Sequence, residues 1–231
     1  MKIPLSKRLQ VCCGFVAKGD RVADIGTDHG YLGIWLLRNG IARSVIAADI
    51  VPGPLSAAKR NAQRFGVEEH MEFYLSDGVQ SIPRDFDTMV CAGMGADTMI
   101  SILEAAPWLQ DAKYRLILQC QSKTPQLRRY LSDHGFRIYA ESVLQDGRFL
   151  YTVMEVSFCP GHILTPGQTY FPPALLENPG AELPEYYHSV LFRLRRALEG
   201  QKDNRDPIME AALRELASLP PELEFLKEEK A

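Results

Sequence analysis

The sequence predicts an α/β protein: a mostly parallel, doubly wound sheet finished by an antiparallel hairpin, with a C-terminal helical hairpin appended. Three observations carry this. Strand-like and helix-like runs alternate four times between residues 21 and 135, the pattern of right-handed crossovers feeding a parallel sheet. The alternation stops at two extended runs, 136–144 and 149–158, which flank Gln145, Asp146, Gly147 and Arg148 as a hairpin. From Cys159 onward, six prolines between Pro160 and Pro184 mark a connector, and two helical stretches follow it.

Each element has its own signal. Ser6 can cap a lid-like helix whose apolar positions Leu9, Cys12 or Cys13, and Val16 recur at helical spacing, with Lys7 and Arg8 on its exposed side. Strand 21–25 ends at Gly26, and the apolar helix 31–38 closes at Asn39 and Gly40. Strand 44–48 delivers Asp49. The next helix starts near Pro54, buries Leu55, Ala58, Ala62 and Phe65, and shows Lys59, Arg60 and Arg64 to solvent before Gly66 stops it. Strand 71–75 leads into Ser76, Asp77 and Gly78, and strand 86–91 into Ala92, Gly93, Met94 and Gly95. Asp97 is expected to cap the helix that follows. Strand 114–119 precedes a helix with Thr124 as N-cap and Pro125 at its first position, ending at Gly135. The two last helices are expected over 185–200 and 207–219, packed as a short antiparallel pair extending toward Lys230. The expected division is a first domain over 1–158 and a connector with helical hairpin over 159–231.

Composition bounds the function classes. With 231 residues, 46% of them apolar and 24% charged, the chain can build one full core plus an appendage. It has no run of about 18 apolar residues and no apolar signal core near its start, so a cytoplasmic protein without membrane attachment is expected. Five cysteines, none in a CxxC pair or at zinc-ligand spacing with histidines, predict reduced thiols and no metal site. Net charge is −3; residues 1–158 hold 18 Lys and Arg against 17 Asp and Glu. A bulk polycation is excluded, so a nucleic-acid partner must be met by local patches.

The stretch from Asp24 through Gly26 to Gly30, at a buried strand's end and a helix's start, is a nucleotide-pocket signature. It resembles motif I of the class I S-adenosylmethionine (SAM) methyltransferases, with Asp28 where many members carry the middle glycine. That aspartate discriminates between cofactors. A dinucleotide would place its pyrophosphate beside a carboxylate, a like-charge penalty on the order of several kcal/mol on Coulomb grounds. SAM has no phosphate and carries a sulfonium and an ammonium, so an acidic turn suits it. Asp49, 19 residues past Gly30, lies where a ribose-binding carboxylate is expected, and Asp77 with Gly78 suits an adenine edge. The bland readings are a helix cap for Asp28 or Asp49 and a capped turn for Asp77.

A closer resemblance rests on residues 5–9 (LSKRL), 23–32 (ADIGTDHGYL), 92–95 (AGMG) and 116–119 (LILQ), which are similar to the bacterial tRNA (adenine-22-N1)-methyltransferase family over nearly the whole chain. Many relatives have Pro-Asn where this chain has Cys120 and Gln121, and the helical hairpin is short with few basic residues at its end. The resemblance implies SAM as cofactor, tRNA as partner and methylation of a D-arm adenine at N1. On that reading Asp24, Gly26, Thr27, Gly30, Asp49, Ile50, Asp77, Gly78, Ala92 and Gly93 hold SAM, and Asp28 with His29 faces the target base. Tyr31 and Met94 are candidate walls for the base, or ordinary packing; Gly95 and Gln119 lie on the substrate side. Lys7, Arg8, Lys59, Arg60, Arg128 and Arg129 are candidate phosphate contacts. DNA is not an expected partner, and a monomer is expected. The alternatives are a methyltransferase acting on a small molecule or protein, and a SAM- or RNA-binding module without turnover.

Overall fold

A computed structural model describes residues 2–177, 179–201, 205–218 and 223. Strands β1 (Arg21–Ile25), β2 (Ser44–Asp49), β3 (Met71–Leu75), β4 (Thr88–Met94), β5 (Arg115–Cys120), β6 (Phe136–Asp146) and β7 (Phe149–Phe158) form one sheet in the order β3-β2-β1-β4-β5-β7-β6. The first five are parallel, and β7 runs antiparallel to both β5 and β6. The α/β sheet with its terminal hairpin is therefore as expected.

Helices α1 (Lys7–Gly14), α2 (Tyr31–Arg38) and α3 (Pro52–Phe65) cover one face, where Cys12, Ile34, Leu36 and Ala62 pack on Val22, Val45, Val90 and Ile117. Helices α4 (Ala96–Glu104) and α5 (Thr124–Asp133) cover the other, with Met99, Leu103, Leu127 and Leu131 packed on Ala23, Ile46, Met89 and Leu116. Neighbouring strand residues, such as Val22 and Ala23, point to opposite faces, and both faces are covered. That is why the central strands read as continuous apolar runs. Strand order reverses between β1 and β4, and in such sheets the carboxyl ends at the reversal frame a crevice.

Ser6 caps α1 through its hydroxyl, which accepts from the Leu9 amide at 3.4 Å. Two other caps differ from expectation. Helix α4 starts directly from the end of β4 with Gly95 as N-cap, so Asp97 falls within the first turn, where its carboxylate accepts from Lys123 Nζ at 2.6 Å. Lys123, in the left-handed region at φ 58°, is the N-cap of α5, which makes Thr124 its first helical residue. Helix α3 begins at Pro52, two residues before the proline expected to open it.

The proline-rich connector is not devoid of helix. It holds α6 (Pro166–Tyr170) and α7 (Ala174–Glu177); Pro166 sits at the first position of α6, where no amide is needed, behind a Thr165–Gln168 capping box. Helices α8 (Leu183–Gly200) and α9 (Pro207–Ala217) follow, and Phe171, Tyr187, Leu191, Leu194, Ala212 and Leu216 form a separate apolar cluster. The expected extension of the last helix toward Lys230 lies outside the described residues.

Arg128 corrects an expectation. It is fully buried, not turned to phosphate: Nε and Nη2 donate to the two oxygens of Glu141, Nη1 donates to the carbonyls of Thr169 and Tyr170, and Nη2 also donates to the Tyr186 hydroxyl. All five donors of the guanidinium fork are matched, which is the condition for a cation to be stable in a core. The side chain thereby joins α5 and β6 to α6 and α8. Among the described residues, no helix is long and apolar enough to cross a membrane.

Candidate active site

The turn after β1 is built on left-handed backbone: Gly26 has φ 72°, Asp28 φ 51° and Gly30 φ 74°. Its first amides, those of Gly26 and Thr27, both donate to the Ala48 carbonyl at 2.9 Å, pinning the turn over the end of β2. Both φ values favour glycine; a Cβ at Gly26 would also displace the end of the Met94 side chain, and one at Gly30 would lie 3.0 Å from Ala58 Cβ. Asp28 tolerates the left-handed region better than most side chains do.

The cap reading of Asp28 is overturned. Gly30 is the N-cap of α2 and makes no side-chain cap, while the Asp28 carboxylate is 68% exposed and lies 3.7 Å from His29 Nε2. What holds Asp28 is its backbone, whose amide donates to Asp49 Oδ2 at 3.1 Å. Asp49 Oδ1 accepts from the Val51 amide at 2.9 Å. This nearly buried carboxylate therefore ties β2's end to the turn, and α3 is capped at Val51 without a side-chain bond.

Below the turn, Asp24 is buried and accepts from the Thr27 hydroxyl at 2.7 Å. Burial pushes its carboxyl up to about 6; the Asp49 charge adds to the rise, and the bonds from Thr27 and the Gly33 amide oppose it. Such a carboxylate gains from a cation placed against it.

A cleft of about 440 Å³ opens beside the turn. Asp24, Gly26, Thr27, Asp28, His29, Tyr31, Ala92, Gly93, Met94 and Gln119 line it, closed on one side by Pro4, Ser6, Arg8 and Leu9 at the start of α1. The His29 and Tyr31 rings stand 5.8 Å apart at the rim. Gln119 is buried and spent on structure: its Oε1 accepts from the Gly93 amide at 3.1 Å, and its Nε2 donates to the Cys120 carbonyl. It holds the Gly93 loop in place. Gln121 also lines the cleft and was not among the expected site residues; the departure from relatives at 120–121 was its only signal.

Gly30, Asp49, Ile50, Asp77, Gly78, Lys7 and Gly95 do not line that cleft. Several of them form a neighbouring shelf instead. Asp49 and Leu75 are partners at the ends of β2 and β3, and Ile50, Val51 and Leu75 are 62%, 49% and 56% exposed. An exposed apolar ledge beside the carboxylates of Asp49 and Asp77 is the shape a nucleoside requires. Asp77 is exposed; its carbonyl accepts from the Gln80 amide at 3.2 Å and its carboxylate from Gln80 Nε2 at 3.5 Å, so it opens a turn and does not cap a helix.

The expected phosphate contacts are unequal. Arg8 Nε donates to Asp146 at 2.8 Å and its guanidinium lies 5.0 Å from the Tyr151 ring, while Lys7 Nζ is 4.0 Å from Glu182. Lys59 and Arg60 are exposed and Arg129 is half-buried. All five cysteines are free thiols; burial pushes Cys12 and Cys91 up to about 12, which keeps them protonated and unreactive. No group of three His, Cys, Asp or Glu among the described residues is arranged to hold a metal.

The acidic turn and the glycine-lined cleft lie at the reversal of strand order, and the apolar shelf lies at the ends of the neighbouring strands β2 and β3. A family model described as "Methyltransferase domain" matches residues 5–154. The chain belongs to this methyltransferase family. It is 33% identical over 154 residues to the tRNA (adenine(22)-N(1))-methyltransferase of Bacillus subtilis, a match spanning 66% of this chain and 65% of that protein. Its structure is similar to that of the B. subtilis M1A22 tRNA methyltransferase TrmK, with TM-score 0.77 at 28% identity, covering 98% of each chain. It is also similar to a Streptococcus pneumoniae protein solved in complex with S-adenosyl-L-methionine, with TM-score 0.79 at 29% identity, covering 92% of this methyltransferase and 98% of that chain.

Proposed function

We propose that this methyltransferase transfers the methyl group of SAM to N1 of an adenine in tRNA, at position 22 in the D-arm region. The observation that carries the reading is the acidic turn. Asp24 and Asp28 line the crevice and Asp49 is bonded to its turn, so three carboxylates and no lysine or arginine of the turn meet the ligand, on a chain similar along its length to the B. subtilis M1A22 enzyme. A cationic cofactor and a cationic product both suit those charges.

SAM, when bound, supplies an electrophilic methyl group on a sulfonium. The residues present fit it: Asp24 offers a buried carboxylate, Asp49 has lone pairs left for ribose hydroxyls, and Ile50, Val51 and Leu75 offer an apolar shelf for the adenine with Asp77 at its edge, while Gly26 supplies the left-handed turn. Gly78, Ala92, Gly93 and Gly30 shape the backbone around it.

Adenine N1 has an in-plane lone pair, so the protein's main task is alignment rather than activation of a nucleophile. Reaching N1 requires the base to leave its stack, and Tyr31 and Met94 line the cleft where the extruded ring would lie. N1-methyladenine is cationic. The Asp28 carboxylate, exposed to the cleft and held by its backbone, stabilises the positive charge that develops on the ring, and His29 lies beside it. The chain acts on RNA rather than DNA, as a monomer in the cytoplasm.

The test is incubation with labelled SAM and, in parallel, total bacterial tRNA or a metabolite extract. Label entering tRNA supports the proposal. Label entering only metabolites, or SAM binding without any transfer, favours one of the other two readings.

A further inference from the structure

A second cavity, of about 270 Å³, lies between the start of α5, β7 and α8. It is near the lower end of small-ligand pockets, roughly 300–1,000 Å³, so it suits one nucleoside rather than a large ligand. Its walls hold three tyrosines, Tyr151, Tyr170 and Tyr186, and the aliphatic side chains of Leu150 and Leu194. Lys123 and Arg193 line it, and among the described residues no Asp or Glu does; Lys123 is bonded to Asp97, and two of the Arg193 nitrogens to Ser189. Thr152, 2% exposed in the same wall, has a hydroxyl with no hydrogen-bond partner among the described residues.

This cavity continues the candidate active site. Gln121 lines both, and the Tyr151 ring in its wall is covered by Arg8, which lines the catalytic cleft. Aromatic rings with basic groups and no carboxylate in the lining are what a single-stranded nucleotide needs: a face to stack on and a cation for its phosphate. We propose that the cavity receives a second nucleotide of the RNA, a strand neighbour of the adenine to be methylated, with its base against the tyrosines and its phosphate toward Arg193 and Lys123. The inference rests on RNA being the substrate.

Ala197 is an exposed residue lining the cavity, so Ala197→Trp narrows it without disturbing the core. The full chain, with its cofactor site filled by S-adenosylhomocysteine, is titrated with a 5′-phosphorylated pyrimidine trinucleotide, which offers no adenine to the catalytic cleft. Ala197→Trp and Arg193→Glu are each expected to weaken this binding about tenfold, the scale of one lost base stack or phosphate contact, and to raise KM for tRNA similarly. SAM affinity and kcat stay within about twofold, since neither residue lines the catalytic cleft, and unchanged melting temperatures exclude misfolding. Trinucleotide binding that is absent in the wild type, or undiminished in Ala197→Trp, overturns the proposal. Cavity-dependent trinucleotide binding without methyl transfer to tRNA would leave the nucleotide site standing and remove the methylation reading instead.

Discussion

The Asp28 amide donates to Asp49 Oδ2 at 3.1 Å, so the glycine turn after β1 and the acidic end of β2 are one mechanical unit. The bond uses the Asp28 backbone and leaves its carboxylate exposed beside His29. Asp49 shapes the turn, and in the proposed function it also meets the cofactor ribose. Asp49→Ala is expected to weaken SAM binding by at least about tenfold, the scale of one lost hydrogen bond to a charged group. Asp49→Asn, which keeps an acceptor for the amide, is expected to lose less. Calorimetric titration of SAM into the three proteins checks the order.

Asp28→Asn separates binding from chemistry. Its carboxylate is 68% exposed with His29 Nε2 3.7 Å away, and the turn is held by its amide instead, so SAM affinity should stay within about twofold, while kcat falls about 10- to 100-fold through lost stabilisation of the cationic ring. Single-turnover kinetics with SAM saturating read the step directly. Unchanged kcat removes Asp28 from catalysis.

Asp24 couples the pocket to pH. Its carboxyl sits at about 6 against the ordinary 3.8, so between those values the native protein binds more protons than the unfolded chain. Stability of the ligand-free protein therefore falls as pH rises from about 4 to 6 and is flat above, a cost on the order of 3 kcal/mol for a shift of this size. Asp24→Asn should raise the melting temperature at pH 7, change it little near pH 4, and weaken SAM binding. A lower melting temperature at pH 7 would contradict the buried-charge account.

Arg128 and Glu141 form a fully buried pair. Arg128→Met leaves the Glu141 carboxylate unpaired and should cost about 3–5 kcal/mol, whereas Arg128→Met with Glu141→Leu should recover much of that loss. Denaturant unfolding of the two single variants and the double variant measures the coupling.

Much of this was legible in the sequence because its causes are local. The buried strands, the glycines flanking Asp28, the Ser6 cap and the terminal hairpin each follow from apolar runs, turn residues or spacing within about ten positions. The misread features depend on partners far along the chain. Arg128 reads as a surface cation until Glu141, Thr169, Tyr170 and Tyr186 are brought around it, and Arg8 reads as free until Asp146 reaches it across 138 positions. Asp28 was legible as an unusual residue, but its backbone bond to Asp49 required the parallel pairing of β1 and β2. Gln119 reads as a substrate contact because it ends a strand at the cleft. Only the fold of the Gly93 loop shows its amide already engaged.

The acceptor atom is read directly from defined RNA. Unmodified tRNA transcripts carrying adenine or guanine at position 22 are incubated with the methyltransferase and SAM, digested with nuclease and analysed by mass spectrometry. The expected result is one N1-methyladenosine per adenine-22 transcript and none on the guanine-22 transcript. Equal methylation of both transcripts, or methyl groups at another atom, would contradict it.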